Sequence, residues 1–366
     1  MSRSRFIFNE ATGCKEAYDI RKFETNDIVV RLGVISPNRV HLNNYPIEKP
    51  ITIFNASLHY DGKEEIMRLY ARIVLGYYMY VSSIVKVDVP IEDVFNRNIN
   101  INHYIGEIVL YPTCKYDIWG VEDPRTYEFD EKLHMTYTGR TINYFNPAIR
   151  VNRTLPVTAI YDESFHTWRK KLVFTLSPEV FGEPISNKDA FLYKTVDDNL
   201  LLFHRPHLED ETYRLIISKI DDLKIFTENL ELKKIEVDNG VEVIKVAPFE
   251  EKIGWATPPI VLNGNRVITL IHGTDNDVTA YRVFAAQLHM VKDEIVVEAV
   301  TPHYIMEPKT PYELVGDRPL VVFPCGAARI GKDEILITYG AADYMVGVGL
   351  ISLSELLGEL DKGRIY

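Results

Sequence analysis

Short apolar runs come in pairs along this chain, each pair hinged on an acidic or glycine-bearing turn. Arg125-Thr-Tyr-Glu-Phe129 passes through Asp130-Glu131 into Leu133-His-Met-Thr-Tyr-Thr138. Phe191-Leu-Tyr-Lys-Thr195 passes through Asp197-Asp198-Asn199 into Leu200-Leu-Leu-Phe203. Ile260-Val-Leu262 turns at Asn263-Gly264-Asn265 into Arg266-Val-Ile-Thr-Leu-Ile271, and Ala327-Ala-Arg-Ile330 turns at Gly331-Lys332-Asp333 into Glu334-Ile-Leu-Ile-Thr-Tyr339. Runs of this length, rich in β-branched and aromatic residues and bounded by turn formers, predict β-hairpins. A weaker pair spans Asn55 to Arg72 about Asp61-Gly62, Asp27 to Ile35 reads as a strand, and Pro37-Asn38 as a turn. Helical spacing is scarce. Ser352 to Leu360 predicts a helix capped by Ser352, and Ile91 to Phe95 a single turn.

The hairpins resemble one another. Each has polar residues before its first strand and a polar or small residue after its second, and a further strand follows, as at Tyr213 to Ile220 and Tyr281 to Leu288. Recurrence at roughly 50 to 70 residues matches blades of about four strands. The pattern predicts an all-β fold, a five-bladed β-propeller in one domain over 1–366, with a lead-in over 1–50 and a short C-terminal helix and tail over 352–366. Two stacked sandwiches would not repeat the polar openings. In a propeller the first strand of each blade lines a central channel. Asp123, Lys188, Thr257 and Gly326 are therefore predicted to converge on one funnel.

Composition narrows the partners. Of 366 residues 46% are hydrophobic, enough for a large core, and the formal net charge of −11 disfavours nucleic acid or an anionic membrane while allowing a local basic pocket. Three cysteines, Cys14, Cys114 and Cys325, are few, odd in number and far apart. They fit a reducing compartment and argue against a disulfide framework or a Cys-based zinc site. No apolar run follows Met1-Ser-Arg-Ser-Arg-Phe6, which predicts no secretory signal, and no stretch approaches the roughly 18 apolar residues of a membrane span. A cytoplasmic protein is expected; a homo-oligomer is left open.

The densest chemistry is Gly120-Val-Glu-Asp-Pro-Arg125, after Trp119. Pro124 restricts Asp123 to extended or turn conformations and removes one N–H, holding the carboxylates on a rigid segment. In isolation this is an ordinary turn. Adjacent residues of an extended chain point to opposite sides. Glu122 and Asp123 are thus not the acid–base pair that an inverting hydrolase sets about 6.5–9.5 Å apart. Lys188, Arg205, Lys252 and His272 fall at or just before equivalent hairpin positions. Arg205 and His272 end apolar strands, where a charge needs a partner or a ligand. Converging cations suit a phosphate. Asp343 follows Gly340-Ala-Ala, whose small side chains leave room for a ligand, and its carboxylate suits sugar hydroxyls; Asn55 and Arg72 are candidates of the same kind. Trp255, Tyr137 and Tyr339 would either stack on sugars or pack the core. Gly-x-Ser-x-Gly, the phosphate-binding glycine loop and His-Glu-x-x-His are all absent, and the ten His lack metal-ligand spacing. Neither a metal nor a cofactor is expected.

Together these pieces resemble glycoside hydrolase family 130, the β-mannoside phosphorylases and related mannosidases, from Phe54 to Leu357. The resemblance rests on G-V-E-D-P-R (120–125) with T-Y-T (136–138), N-K-D-A (187–190) with H-R-P (204–206), and K-I-G-x-x-x-P-P-I (252–260) with H-G (272–273). It continues through P-Y-E-x-x-G (311–316), V-V-F-P-C-G (321–326) and Y-G-A-A-D (339–343). It implies a five-bladed propeller. It also implies that Asp123 is the catalytic acid, passing its proton through the sugar's own 3-hydroxyl, with inorganic phosphate as nucleophile and co-substrate. Lys188, Arg205, Lys252 and His272 match phosphate-binding positions, and Asp343 a residue contacting the mannosyl unit. The sugar-binding candidates are Asn55, Arg72, Glu122, Arg125, Asp189 and Asp343. Departures are Lys188 where some members carry Arg, Trp255 where many carry a small residue, Glu250 and Glu251 before Lys252, and the stretch from Tyr77 to Ile105. The expected activity is reversible, inverting phosphorolysis of a β-mannoside to α-mannose 1-phosphate. An inverting β-mannosidase using Glu250 or Glu251 as base is the alternative, and a non-catalytic sugar-binding propeller a third.

Overall fold

Five sheets form a five-bladed β-propeller in the computed structural model, which describes residues 6–220, 231–292 and 294–366. The start of the stretch read for a secretory signal lies outside the described residues. From the inside outward, blade I runs Thr52–Asp61, Ile66–Val74, Ser82–Pro90, Tyr104–Leu110 and Val40–Leu42; blade II runs Val121–Phe129, Lys132–Arg140, Thr154–Asp162, Thr167–Leu176 and Lys233–Val237. Blade III runs Ser186–Lys194, Leu200–His207, Leu215–Ile220, Val241–Ile244 and Asn9–Glu10. Blade V takes three strands from the end of the chain, Val322–Arg329, Glu334–Ala341 and Met345–Ser352, and its outer strand, Val30–Ile35, from the beginning. That antiparallel pairing closes the ring. Segments of the lead-in thus form outer strands of blades I, III and V.

The apolar runs are nearly continuous because blades are buried on both faces. Successive side chains point to opposite faces, so Leu200 and Leu202 pack into the seam between blades II and III, while Leu201 and Phe203 enter the seam between III and IV. Likewise Ile335 and Ile337 face blade IV, and Leu336 faces blade I. The expected helices are present: Ile91–Phe95, and Leu353–Asp361, whose first turn is capped by Ser352 Oγ accepting from Glu355 N. Pro37–Arg39 is a short 3-10 turn.

Blade IV differs from its expected boundaries. Its inner strand begins at Glu250, runs to Trp255 and resumes as Ile260–Asn263, both pieces pairing with Arg266–Asp275, followed by Tyr281–Val291 and Glu294–Val300. Thr257-Pro258-Pro259 is an interruption inside the strand and not its opening. Two prolines remove two ladder donors and break the pairing where they fall.

Blades I, II and III share one irregularity. The inner strand slips register between Phe54 and Ser57, between Glu122 and Arg125, and between Lys188 and Phe191. The residue pushed out is Asn55 (φ 48°), Asp123 (φ 50°) or Asp189 (φ 53°). Asn and Asp tolerate this left-handed conformation best among residues with a Cβ. Asp123 is therefore neither extended nor in a simple turn; it sits in a β-bulge, which re-aims a side chain.

Candidate active site

A cavity of about 280 Å³ opens where the five inner strands begin. Blade I contributes Asn55 and Arg72, blade II Asp123 and Arg140, and blade III Lys188, Asp189 and Arg205. Lys252 and Tyr281 come from blade IV, and Phe323 and Asp343 from blade V, with Arg318 from the segment leading into it. All five blades meet there, but Thr257 is fully buried and Gly326 packs against Leu58, so neither lines the cavity.

Two carboxylates organise the cations. Glu122 is completely buried behind the wall. Its Oε1 accepts from Arg140 Nε at 2.8 Å and Arg72 Nη2 at 3.0 Å, and its Oε2 lies 3.3 Å from Lys188 Nζ. Burial pushes its pKa up, but Arg140, Arg72 and Lys188 together outweigh burial and hold it well below the usual carboxylate range. Asp189 is similar. Its Oδ2 accepts from Arg205 Nε at 2.5 Å, its Oδ1 from Arg125 Nη2 at 3.3 Å, and His272 Nε2 stands 3.4 Å away. Burial is again opposed and overcome, here by Arg205, His272 and Arg125. Gly254 is required beside it, since a Cβ there would collide with Asp189 Oδ2 and the His272 ring.

Asp123 is held more loosely. Asn55 Nδ2 donates to its Oδ1 at 2.7 Å and Arg72 Nη1 at 3.1 Å. Among the described residues nothing bonds Oδ2. Asp343 (φ 51°) has its pKa pushed up to about 6 by burial, with Arg72 opposing and Asp123 adding to the rise. Lys252 has its pKa lowered to about 8 by burial and by Arg205; its nearest carboxylate oxygen is Glu251 Oε2 at 3.8 Å. The Arg318 guanidinium lies over Tyr281 at 4.7 Å and forms no ion pair among the described residues.

Of the predicted site residues, Asp123, Lys188, Arg205, Lys252, Asn55, Arg72, Asp189 and Asp343 line one cavity. Glu122, Arg125 and His272 do not; they are buried one layer behind it. Arg125 ties the bulge to blade IV, donating to the carbonyls of Asp123, Trp255 and Ala256. Trp255, Tyr137 and Tyr339 offer no sugar face. All three are core residues, with polar tips bonded to the His204 and Ile216 carbonyls, Asp117 and Glu313 respectively. The sequence reading missed Arg140, Tyr144, Tyr213, Tyr281 and Arg318. Arg140 had a signal, because it ends the second strand of its blade much as Arg205 nearly ends its own. Among the described residues no group of three or more His, Cys, Asp or Glu is placed to hold a metal, and no helix is long and apolar enough to cross a membrane.

A carboxylate aimed by a bulge into a cation-rich cavity where five blades meet is the kind of site a propeller enzyme presents to a polar substrate. The chain belongs to glycoside hydrolase family 130: residues 19–362 match the family model described as β-1,4-mannooligosaccharide phosphorylase, and the protein is an enzyme acting on β-mannosides. It is 30% identical over 333 residues to a β-1,2-mannobiose phosphorylase of Thermoanaerobacter sp. (strain X514), covering 86% of this chain and 97% of that protein. A 1,2-β-oligomannan phosphorylase of the same organism is 28% identical over 68% of this chain and 73% of its own length. Among solved structures, the β-1,2-mannobiose phosphorylase of Listeria innocua, in complex with β-1,2-mannobiose, superposes with a TM-score of 0.68 at 18% identity, covering 92% of this chain and 97% of that one. A mannose phosphorylase from Leishmania mexicana, in complex with a phosphate ion, gives 0.57 at 12%, covering 96% and 95%. At these identities the structural likeness speaks for the fold.

Proposed function

We propose that the protein is an inverting phosphorylase of β-1,2-linked mannosides. A phosphate oxygen attacks the anomeric carbon, the bond from that carbon to the glycosidic oxygen breaks, and the leaving oxygen receives a proton for which Asp123 is the acid. The products are α-mannose 1-phosphate and the shortened sugar, and the reaction runs in both directions. Lys188, Arg205 and Lys252 bind the phosphate, His272 supports them through Asp189, and Asn55, Arg72 and Asp343 hold the mannosyl unit. The observation that carries this reading is the uncommitted positive charge. Glu122 and Asp189 occupy Arg72, Arg140, Lys188 and Arg205, yet Lys252, with only the loose Glu251 contact at 3.8 Å, and Arg318, with no ion pair among the described residues, face the same cavity. A neutral sugar does not call for half-buried cations left without a tight partner; a phosphate does.

The two bases expected for hydrolysis stand outside the cavity. Glu250 is buried away from the cavity, gripped by Arg21 at 2.9 Å and by the Tyr304 hydroxyl at 2.6 Å, and Glu251 does not line the cavity either. The relatives named as β-1,2-mannobiose and 1,2-β-oligomannan phosphorylases support the linkage. Incubation with β-1,2-mannobiose, with and without inorganic phosphate, tests the reading. Mannose 1-phosphate is expected only with phosphate present; free mannose alone, released at the same rate without it, would sink the proposal.

A further inference from the structure

The segment between the second and third strands of blade I carries Tyr77, Tyr78 and Tyr80. No step of the reaction above uses them. Tyr80 is half-buried, with the Arg72 guanidinium 5.7 Å from the centre of its ring and its hydroxyl donating to Asp317 at 2.5 Å, next to Arg318. That bond joins the blade I segment to the segment leading into blade V. Inward, Tyr80 meets Tyr144 edge-on, with ring centres 6.0 Å apart and planes at 87°. Tyr144 lines the cavity, and the Arg140 guanidinium stacks on it at 3.3 Å. Outward, Tyr77 stacks with Tyr80 at 6.3 Å and 27°. Asn143 Nδ2, 3.3 Å from Met79 Sδ, ties the Tyr144 segment to the Tyr80 segment. Tyr80 is the covered middle of the row; Tyr144 is 38% exposed on its inner side, Tyr77 49% and the neighbouring Tyr78 89% on its outer side.

A row of tyrosines continuous with a polar cavity has an open face that water serves poorly. Tyr77 and Tyr144, its exposed members, each offer an apolar face with a polar tip, and Tyr80 joins them. A pyranose is its complement, with C–H groups on a face and hydroxyls on the edges. The cavity's 280 Å³ is below the roughly 300–1,000 Å³ of ordinary ligand pockets, so it holds the glycosyl unit and phosphate and leaves the remaining sugars outside. Tyr144 carries the aromatic part of the lining outward to Tyr80 and Tyr77. We propose that Tyr144, Tyr80 and Tyr77 form an aromatic track for the sugar units that extend beyond the cavity, so that the enzyme takes β-mannosides longer than two units. This rests on the phosphorylase reading and adds chain length to it.

Phosphorolysis of β-1,2-mannobiose, -triose and -tetraose by wild type, Tyr77→Ala and Tyr77→Phe tests it. Tyr77 is exposed, so folding is not at issue. Tyr77→Ala should raise KM for the longer sugars about 5- to 10-fold while leaving kcat, the mannobiose KM and the phosphate KM unchanged. Tyr77→Phe should restore the longer-sugar KM. A shift that is equal for all three lengths, or absent, overturns the track. Wild type inert on every mannoside would defeat the phosphorylase reading instead. Calorimetric binding of the tetraose, weakened in Tyr77→Ala or unchanged, would then still decide for or against the track.

Discussion

Asp123 and Asp189 occupy the same bulge in adjacent blades, with φ of 50° and 53°, and come to opposite ends. Asp189 has both oxygens engaged by the protein itself, Arg125 on one and Arg205 on the other, with the His272 ring beside the second. It has nothing left to offer a substrate except charge. Asp123 spends one oxygen on Asn55 and Arg72 and turns the other toward the cavity. The bulge aims a carboxylate; the number of cations around it decides how much of that carboxylate is left free to face the cavity. The same contrast separates Asp123 from its chain neighbour Glu122, which three cations hold in the wall.

The comparison breaks most readily at Asp123. Asp123→Asn keeps an oxygen acceptor for Asn55 and Arg72, so the melting temperature should hold, while kcat falls by about 10²–10⁴-fold for want of the acid. Mannose 1-phosphate release and thermal unfolding measured on one preparation check both halves. A variant with full turnover would put Asp123 on the structural side with Asp189. The converse substitution should fail in the other currency. Asp189→Asn removes the charge opposite Arg205 and Arg125 at a completely buried site, and breaking such a pair costs about 3–5 kcal/mol. Urea unfolding should show that loss, and an Asp189→Asn protein as stable as wild type would mean that the cations are already satisfied elsewhere.

Much of this arrangement was legible in the sequence. The hairpin repeat is visible because blades bury both faces, so runs such as Leu200-Leu-Leu-Phe203 are apolar throughout and polar only at their ends. The bulges also leave a trace, an Asn or Asp followed by Ala or Pro inside a strand, at Asn55-Ala56, Asp123-Pro124 and Asp189-Ala190. Other features leave none. Val30–Ile35 reads as a strand, but nothing local says that it pairs with Met345–Ser352 at the far end of the chain. Pro258-Pro259 suggested a strand opening because prolines punctuate both openings and breaks. The facing of Trp255, Tyr137 and Tyr339 follows from which seam each strand face enters, and aromatic composition does not encode it. Arg318 lies on a connecting segment with no periodicity to single it out.

Lys252 sharpens the contrast from the cation side, because it borders Asp189's cluster without being consumed by it. Its pKa, lowered to about 8 by burial and then by Arg205, means that it is charged below that pH and loses its charge above it. The kcat/KM for phosphate, which reports the free enzyme, should therefore fall as pH rises through about 8. Lys252→Arg stays charged and should move that fall upward, whereas Lys252→Met should raise the phosphate KM about ten-fold or more and flatten the profile. A wild-type profile level through this range would remove Lys252 from the phosphate site.

Asp343 is the finest test, since it is another left-handed aspartate facing the cavity and belongs with neither of the first two until its charge is measured. Burial raises its pKa from 3.8 to about 6, and Arg72 reverses only part of that rise because it is already shared with Glu122 and Asp123. A folded pKa above the unfolded value gives a stabilising contribution that is fully present below pH 3.8 and lost as pH climbs through about 6. Above that point the ionised carboxylate is a cost borne by the empty site. Asp343→Asn should therefore raise the melting temperature at pH 7 to 8 by an amount on the order of 2 °C, and the gain should vanish below pH 4. The sugar KM should rise in the same variant, because a site that holds a destabilising charge without substrate does so for what the charge does with substrate present. A melting temperature lowered at pH 7 would show instead that Arg72 and Arg318 bind this carboxylate as Arg205 binds Asp189. Asp123 would then be the one carboxylate of the cavity not committed to holding the blades together.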